Sequence, residues 1–126
     1  MIQILPEFPD TVLAISATGL VTDADYKTVL IPAAEDRLLR HDRLRVLYHL
    51  GPRFERFEAA AMFDDAAFGL RHLRRFERIA VVTDLSWCRN SVRMLGFMMP
   101  CPVRVFADAD LAKARDWILE PSPTPA

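Results

Sequence analysis

Residues 43–84 constrain the fold of this chain more than any other stretch. They read as a strand (Leu44–Leu50), a loop (Gly51–Phe57), a long amphipathic helix (Glu58–Phe76) and a second strand (Ile79–Thr83). Parallel strands need a long crossover, usually helical, so this unit predicts a parallel pair. Open sheets of that kind place ligands beyond the carboxyl ends of their strands, here at Gly51–Phe57 and Asp84–Trp87. Neither segment carries a recognisable catalytic set.

The flanking sequence extends the pattern. Ile2–Leu5 and Thr11–Gly19 read as strands joined through Pro6, Pro9 and Asp10, consistent with an antiparallel pair. Thr22 is placed to cap a helix with Asp23 and Asp25 in its first turn, where the positive end of the dipole favours carboxylates. Tyr26, Leu30, Ala34 and Leu38 give that helix one apolar face, and Pro32 predicts a kink within it. Ser86 is placed to cap a third helix that Gly96 would end; Asp108 or Asp110 caps a fourth, with Leu111, Ala114 and Ile118 facing inward. A last strand lies at Val103–Phe106. The expected fold is α/β: one mostly parallel five-stranded sheet in the order ββα, then βα three times. Leu44, Val46, Tyr48 and Leu50 point one way from their strand, and Arg43, Arg45, Leu47 and His49 the other. That second face is polar for a strand buried on both sides, as are Arg104 and Ser16 on their strands. Helices are therefore expected mainly on one face, with the opposite face free or met by a partner.

The chain has 126 residues, 52% apolar and 26% charged, with a formal net charge of −1. This length fits one domain, over residues 1–120, with Pro121–Ala126 as a frayed tail. A near-neutral balance gives no field for nucleic acid or anionic membrane. No apolar run is long enough to span a bilayer, and Met1–Pro6 lacks the basic and apolar regions of a signal peptide. Cys88 and Cys101 are the only cysteines, which fits a reducing cytoplasm rather than a disulfide scaffold.

Asp65–Leu73 (DAAFGLRHL) and Phe76–Asp84 (FERIAVVTD), with Leu30–Ala33 (LIPA) and Leu47–Pro52 (LYHLGP), resemble the bacterial SpoIIAA-like proteins, relatives of the STAS domains of anti-sigma factor antagonists and anion transporter tails. The resemblance covers about Met1 to Leu119. It implies a single-wound β–α superhelix, with helices mostly on one side, that works through protein–protein contacts. Phosphorylated STAS antagonists carry a serine at the start of the helix after the third strand, where phosphate meets helix-terminal amides. The matching segment here, Gly51–Glu58, has neither Ser nor Thr, so the phosphoswitch does not carry over. Similarity of this branch to lipid-carrying CRAL-TRIO-type folds adds a lipid ligand to what the resemblance implies.

Few constellations could carry chemistry. His41, His49 and His72 lie on different elements with no ligand spacing, so no metal is expected. No serine sits in a nucleophile elbow, Cys88 follows the core stripe Cys88, Val92, Leu95 and Met99, and four glycines form no phosphate loop. No cofactor and no catalytic residue are assigned. Asp84, ahead of Ser86 and Trp87, reads either as a carboxylate at a pocket mouth or as a helix cap. The stripe Met62, Ala66, Gly69–Leu70 and Leu73 marks the inward side of the second helix. Its basic band of Arg71, Arg74, Arg75 and Arg78 suits the helix dipole or an acidic partner. By helical phase, Phe68 points outward beside Arg71, and Phe97 shares a side with Arg89 and Arg93. With the Met94–Met99 stretch, Phe68, Arg71, Arg75, Phe97 and Met98 mark a candidate interaction patch.

Three functions follow as expectations. One is a non-catalytic STAS-like module binding a protein partner or a second copy as a homodimer. Another is a carrier or sensor of a small apolar anion or lipid, with Phe54, Phe57, Trp87 and the Met-rich segment around the tail and Arg53 or Arg56 on the headgroup. The third is an enzyme using Asp84 as acid or base.

Overall fold

A computed structural model of the chain describes residues 1–121, so the expected tail beyond Pro121 lies outside the described residues. The elements are β1 (Ile2–Ile4), β2 (Val12–Val21), α1 (Asp23–Asp25), a π turn (Tyr26–Leu30), α2 (Ile31–Arg40), β3 (Leu44–Phe57), α3 (Ala59–Arg71), a 3-10 turn (Leu73–Arg75), β4 (Phe76–Thr83), α4 (Ser86–Met98), β5 (Val103–Phe106), a 3-10 turn (Asp108–Asp110) and α5 (Leu111–Leu119).

The five strands form one sheet in the order β1-β2-β3-β4-β5. β1 runs antiparallel to β2, and the other three pairings are parallel. A strand order that advances monotonically, with right-handed crossovers, puts every connecting helix on the same side. The packing follows this rule. Leu13, Ile15, Leu44 and Leu50 join Tyr26, Leu30, Ala34, Phe68 and Cys88 of the connecting helices in one core cluster.

The opposite face is neither free nor left to a partner, contrary to the reading of its polarity. α5 ends the described fold, so no crossover rule fixes its side, and it packs Ala114, Trp117 and Ile118 over Val12, Ala14, Leu47, Ala80 and Val82. The arginines on that face serve α5 directly. Arg45 is buried, pairs with Glu77 and donates to the carbonyls of Ile118 (2.8 Å) and Glu120. Arg78 donates to the carbonyl of Trp117 at 2.7 Å, and Arg104 lies 5.3 Å from the Trp117 ring centre. Cations at the carbonyl end of a helix satisfy its last acceptors and its dipole together.

Local chemistry explains most boundaries. Thr22 and Asp25 make a reciprocal cap: the Thr22 amide donates to Asp25 Oδ2 at 2.9 Å, and the Asp25 amide to Thr22 Oγ1 at 3.2 Å. Pro32 cannot donate to the carbonyl of Thr28. The helix answers by widening into the π turn just before it, with the Ile31 amide reaching Tyr26. Gly51–Phe57, expected as a loop, instead prolongs β3 along β2 through a register shift. Gly19, at φ +61°, supplies the left-handed residue there. β4 stops pairing at Leu50, so Pro52 lies where β3 has lost that neighbour, which suits a residue without an amide hydrogen. The long helix is shorter than expected: Phe76 begins β4 instead of ending it. At α4, Leu85 is the cap residue, with its amide bonded to Thr83 Oγ1, and Ser86 is the first helical residue. Gly96 does not end α4, which continues to Met98, and Gly96 lies against Val103 of β5.

Candidate functional site

α3 docks chiefly against the first helical segment, through Tyr26 and Asp65, and meets the sheet through Phe68 on Phe76. Its inward stripe is therefore held away from α4, and an apolar cleft of about 480 Å³ opens between them. The floor is Ile15, Val46, Tyr48, Ile79 and Val81 of the strands. Met62, Ala66, Gly69 and Leu70 form one wall, and Trp87, Cys88, Ser91, Val92 and Leu95 the other. Both stripes read as core in the sequence do face inward, but they meet open space: Met62 is 54% and Leu70 73% exposed. The volume lies in the usual range for small-molecule sites, roughly 300–1,000 Å³.

One end of the cleft is aromatic. Phe57 packs tilted against Phe54 at 4.9 Å between ring centres and meets Tyr48 and Trp87 edge-on at 6.2 and 6.5 Å. The other distinctive group is polar. The Tyr26 hydroxyl donates to Asp65 Oδ1 at 2.9 Å, and the Tyr48 hydroxyl, 3.2 Å from Tyr26, is left to donate to Tyr26. Asp65 is exposed at the cleft, and the protein around its carboxyl still withholds part of its hydration. This desolvation raises it above the ordinary carboxylate range, against the lowering effect of the Tyr26 hydrogen bond. Burial holds both phenols above their ordinary range, so they remain neutral donors. Burial likewise pushes the Cys88 thiol up to about 11, which makes it a poor nucleophile at neutral pH.

The residues singled out from sequence separate into those the cleft gathers and those it does not. Phe57 and Trp87 line it, with Phe54 buried behind Phe57. Arg53 and Arg56 are exposed on β3 and stand outside the lining. Asp84 turns toward the β5 end, where its carboxylate accepts from the Asp108 amide at 3.0 Å. Phe68, expected outward, is only 6% exposed, lines the cleft and packs on Phe76 and His72. Phase counted from a stripe packed on the sheet points Phe68 outward, whereas α3 buries the side that carries Ala61 and Phe68. Arg75 is likewise not a free cation: it donates to the carbonyls of Leu38, His41 and Asp42 and fastens the end of α2. Arg71 is exposed, as are Phe97 (92%) and Met98 (79%). The histidines stand apart: His41 on Asp10, His49 facing Asp108 at 3.3 Å, and His72 against Phe68.

Sequence reading missed Tyr26, Tyr48 and Asp65 as a set. The signal was present: both tyrosines of the chain fall on inward faces, and Asp65 falls on the inward stripe beside Met62 and Ala66. Inward hydroxyls and carboxyls need partners, so these three groups were candidates for one another. A second concavity of about 460 Å³ lies on the α5 side, more open and lined by opposed charges including Arg104, Lys113, Asp116 and Glu120.

No curated protein sequence matches the chain. Among solved structures, an uncharacterised protein with a SpoIIAA-like fold from Shewanella loihica PV-4 is similar, with a TM-score of 0.73 and 25% identity over 94% of this chain and 92% of that one. The SpoIIAA-like family profile matches residues 12–119, which takes in the sheet from β2 onward, both walls of the cleft and α5. Given that span, the chain belongs to the SpoIIAA-like family.

Proposed function

We propose that this protein is a non-catalytic binding module whose α3–α4 cleft takes a small apolar molecule. The observation that carries this reading is the cleft itself: open, almost wholly apolar, and walled by Met, Leu, Val and Trp side chains that a closed core would have covered. Its polar groups suit binding better than catalysis, since the two tyrosines are held neutral and the thiol is held protonated. The absence of Ser and Thr from Gly51–Glu58 fits a role that does not depend on a phosphoserine there.

Thermal unfolding and Trp87 emission, followed across a series of C8–C16 aliphatic compounds, test the reading. A ligand at a hundred times its dissociation constant stabilises the folded state by about 2.7 kcal/mol, so a clear rise in Tm is expected. Ala66→Phe, which fills the cleft, should abolish both the rise and the emission change. A flat response across the series rejects the reading.

A protein partner or a second copy is the other reading. Phe97, Met98, Met94 and Phe63 support it, as exposed apolar side chains of α3 and α4. Concentration-dependent light scattering that Phe97→Ser and Met98→Ser weaken would favour it.

A further inference from the structure

We propose that the cleft selects an amphiphile with a protonated amine head, the ammonium resting on Asp65 and the alkyl chain running between α3 and α4. This rests on the apolar cleft being a ligand site and adds the chemistry of the ligand's polar end. Three observations converge. Among the described residues lining the cleft, Asp65 is the one charged group, and no Lys, Arg or His accompanies it. A carboxylate or phosphate head would therefore meet a like charge and no counter-ion, which argues against the anionic headgroup expected on Arg53 or Arg56. Tyr26 occupies Oδ1 of Asp65 with a donated hydrogen bond, and Tyr48 is committed to Tyr26, so the relay orients the carboxyl without neutralising it. The other carboxylate beside these tyrosines, Asp25, is engaged by the amide and hydroxyl of Thr22.

The energetics agree with the geometry. A carboxyl raised by burial and offset only by one phenol has an unmet demand for positive charge. An ammonium there would form a charge-assisted hydrogen bond with a partly desolvated acceptor, stronger than the bond a neutral hydroxyl makes. Its methylene chain would cover Met62, Leu70 and Leu95, which stand open at the lip.

Calorimetric titration of the full chain with dodecylamine, dodecan-1-ol and dodecanoic acid, each below its aggregation concentration, tests the proposal at pH 7.5. The amine should bind about tenfold or more tightly than the alcohol, and the acid most weakly. Asp65→Asn keeps an acceptor for Tyr26 and should remove the amine's advantage while leaving alcohol binding intact, which also reports that the variant folds. Ala66→Phe should abolish all three. Equal binding of the three compounds, tighter binding of the acid, or an amine affinity unchanged in Asp65→Asn overturns the head-group assignment and leaves the apolar cleft standing. Binding of none of them overturns the cleft reading and this proposal together.

Discussion

An ionised carboxyl needs hydration that neighbouring protein withholds, and this desolvation raises Asp65 above the ordinary carboxylate range. The sign of the effect on stability follows from linkage. A group held above its unfolded value, about 3.9 for Asp, contributes most to folding below that value. The contribution is then lost as pH climbs through the folded value. Asn at this position does not titrate and retains the oxygen that accepts from Tyr26. Urea unfolding of the unliganded proteins should therefore show Asp65→Asn gaining on wild type as pH rises from the unfolded value, with the gap levelling off once pH passes the folded one. Parallel pH profiles for the two proteins would mean that ionisation of Asp65 meets no opposition from its surroundings.

At the scale of elements, α5 is held by its carboxyl end. Arg45 and Arg78 supply donors to the carbonyls of Trp117, Ile118 and Glu120 from below, while Ala114 and Ile118 bury the contact. Removing one partner from a buried charged cluster costs more than the cluster contributes when intact, because the remaining groups lose their compensation. Arg45→Ala should destabilise the protein by about 2–3 kcal/mol and release the amides of α5 to exchange ahead of those of β3. Unchanged protection of α5 would put its anchor in the apolar contact alone.

Much of this architecture was legible in the residues. Period-two alternation in Leu44–Leu50, the Thr22 cap and the four-residue spacing from Tyr26 to Leu38 each define an element through local chemistry. What escaped depends on neighbours distant in sequence. Gly51–Pro52 carries the signature of a turn, yet register shifts against Gly19 turn it into strand. The orientation of Phe68 and the position of α5 both hinge on which surface a helix docks against, and local periodicity gives a face without naming its neighbour. The Tyr26–Tyr48–Asp65 relay joins residues 22 and 39 positions apart, a convergence that only the folded sheet produces.

Across the whole molecule, the sheet separates two interiors of unequal completeness: α5 packs directly on its face with a charged concavity beside it, and the connecting-helix side is cleft between α3 and α4. α3 leans on the first helix and little on the sheet, so it has fewer partners to lose when it moves. Hydrogen exchange should find the amides of α3 opening well below the global unfolding free energy, and an aliphatic ligand should slow them selectively. Protection of α3 equal to that of β3 in the unliganded protein would contradict this ranking.

The sheet's outer borders are three and four residues long, in β1 and β5. Those two margins give an incoming strand few backbone groups to pair with, and the stretch of β3 beyond Leu50 that β4 leaves uncovered is interrupted by Pro52. Self-recognition by this molecule would then be decided by side chains on its helical side, and its infrared amide signature should stay constant as concentration rises.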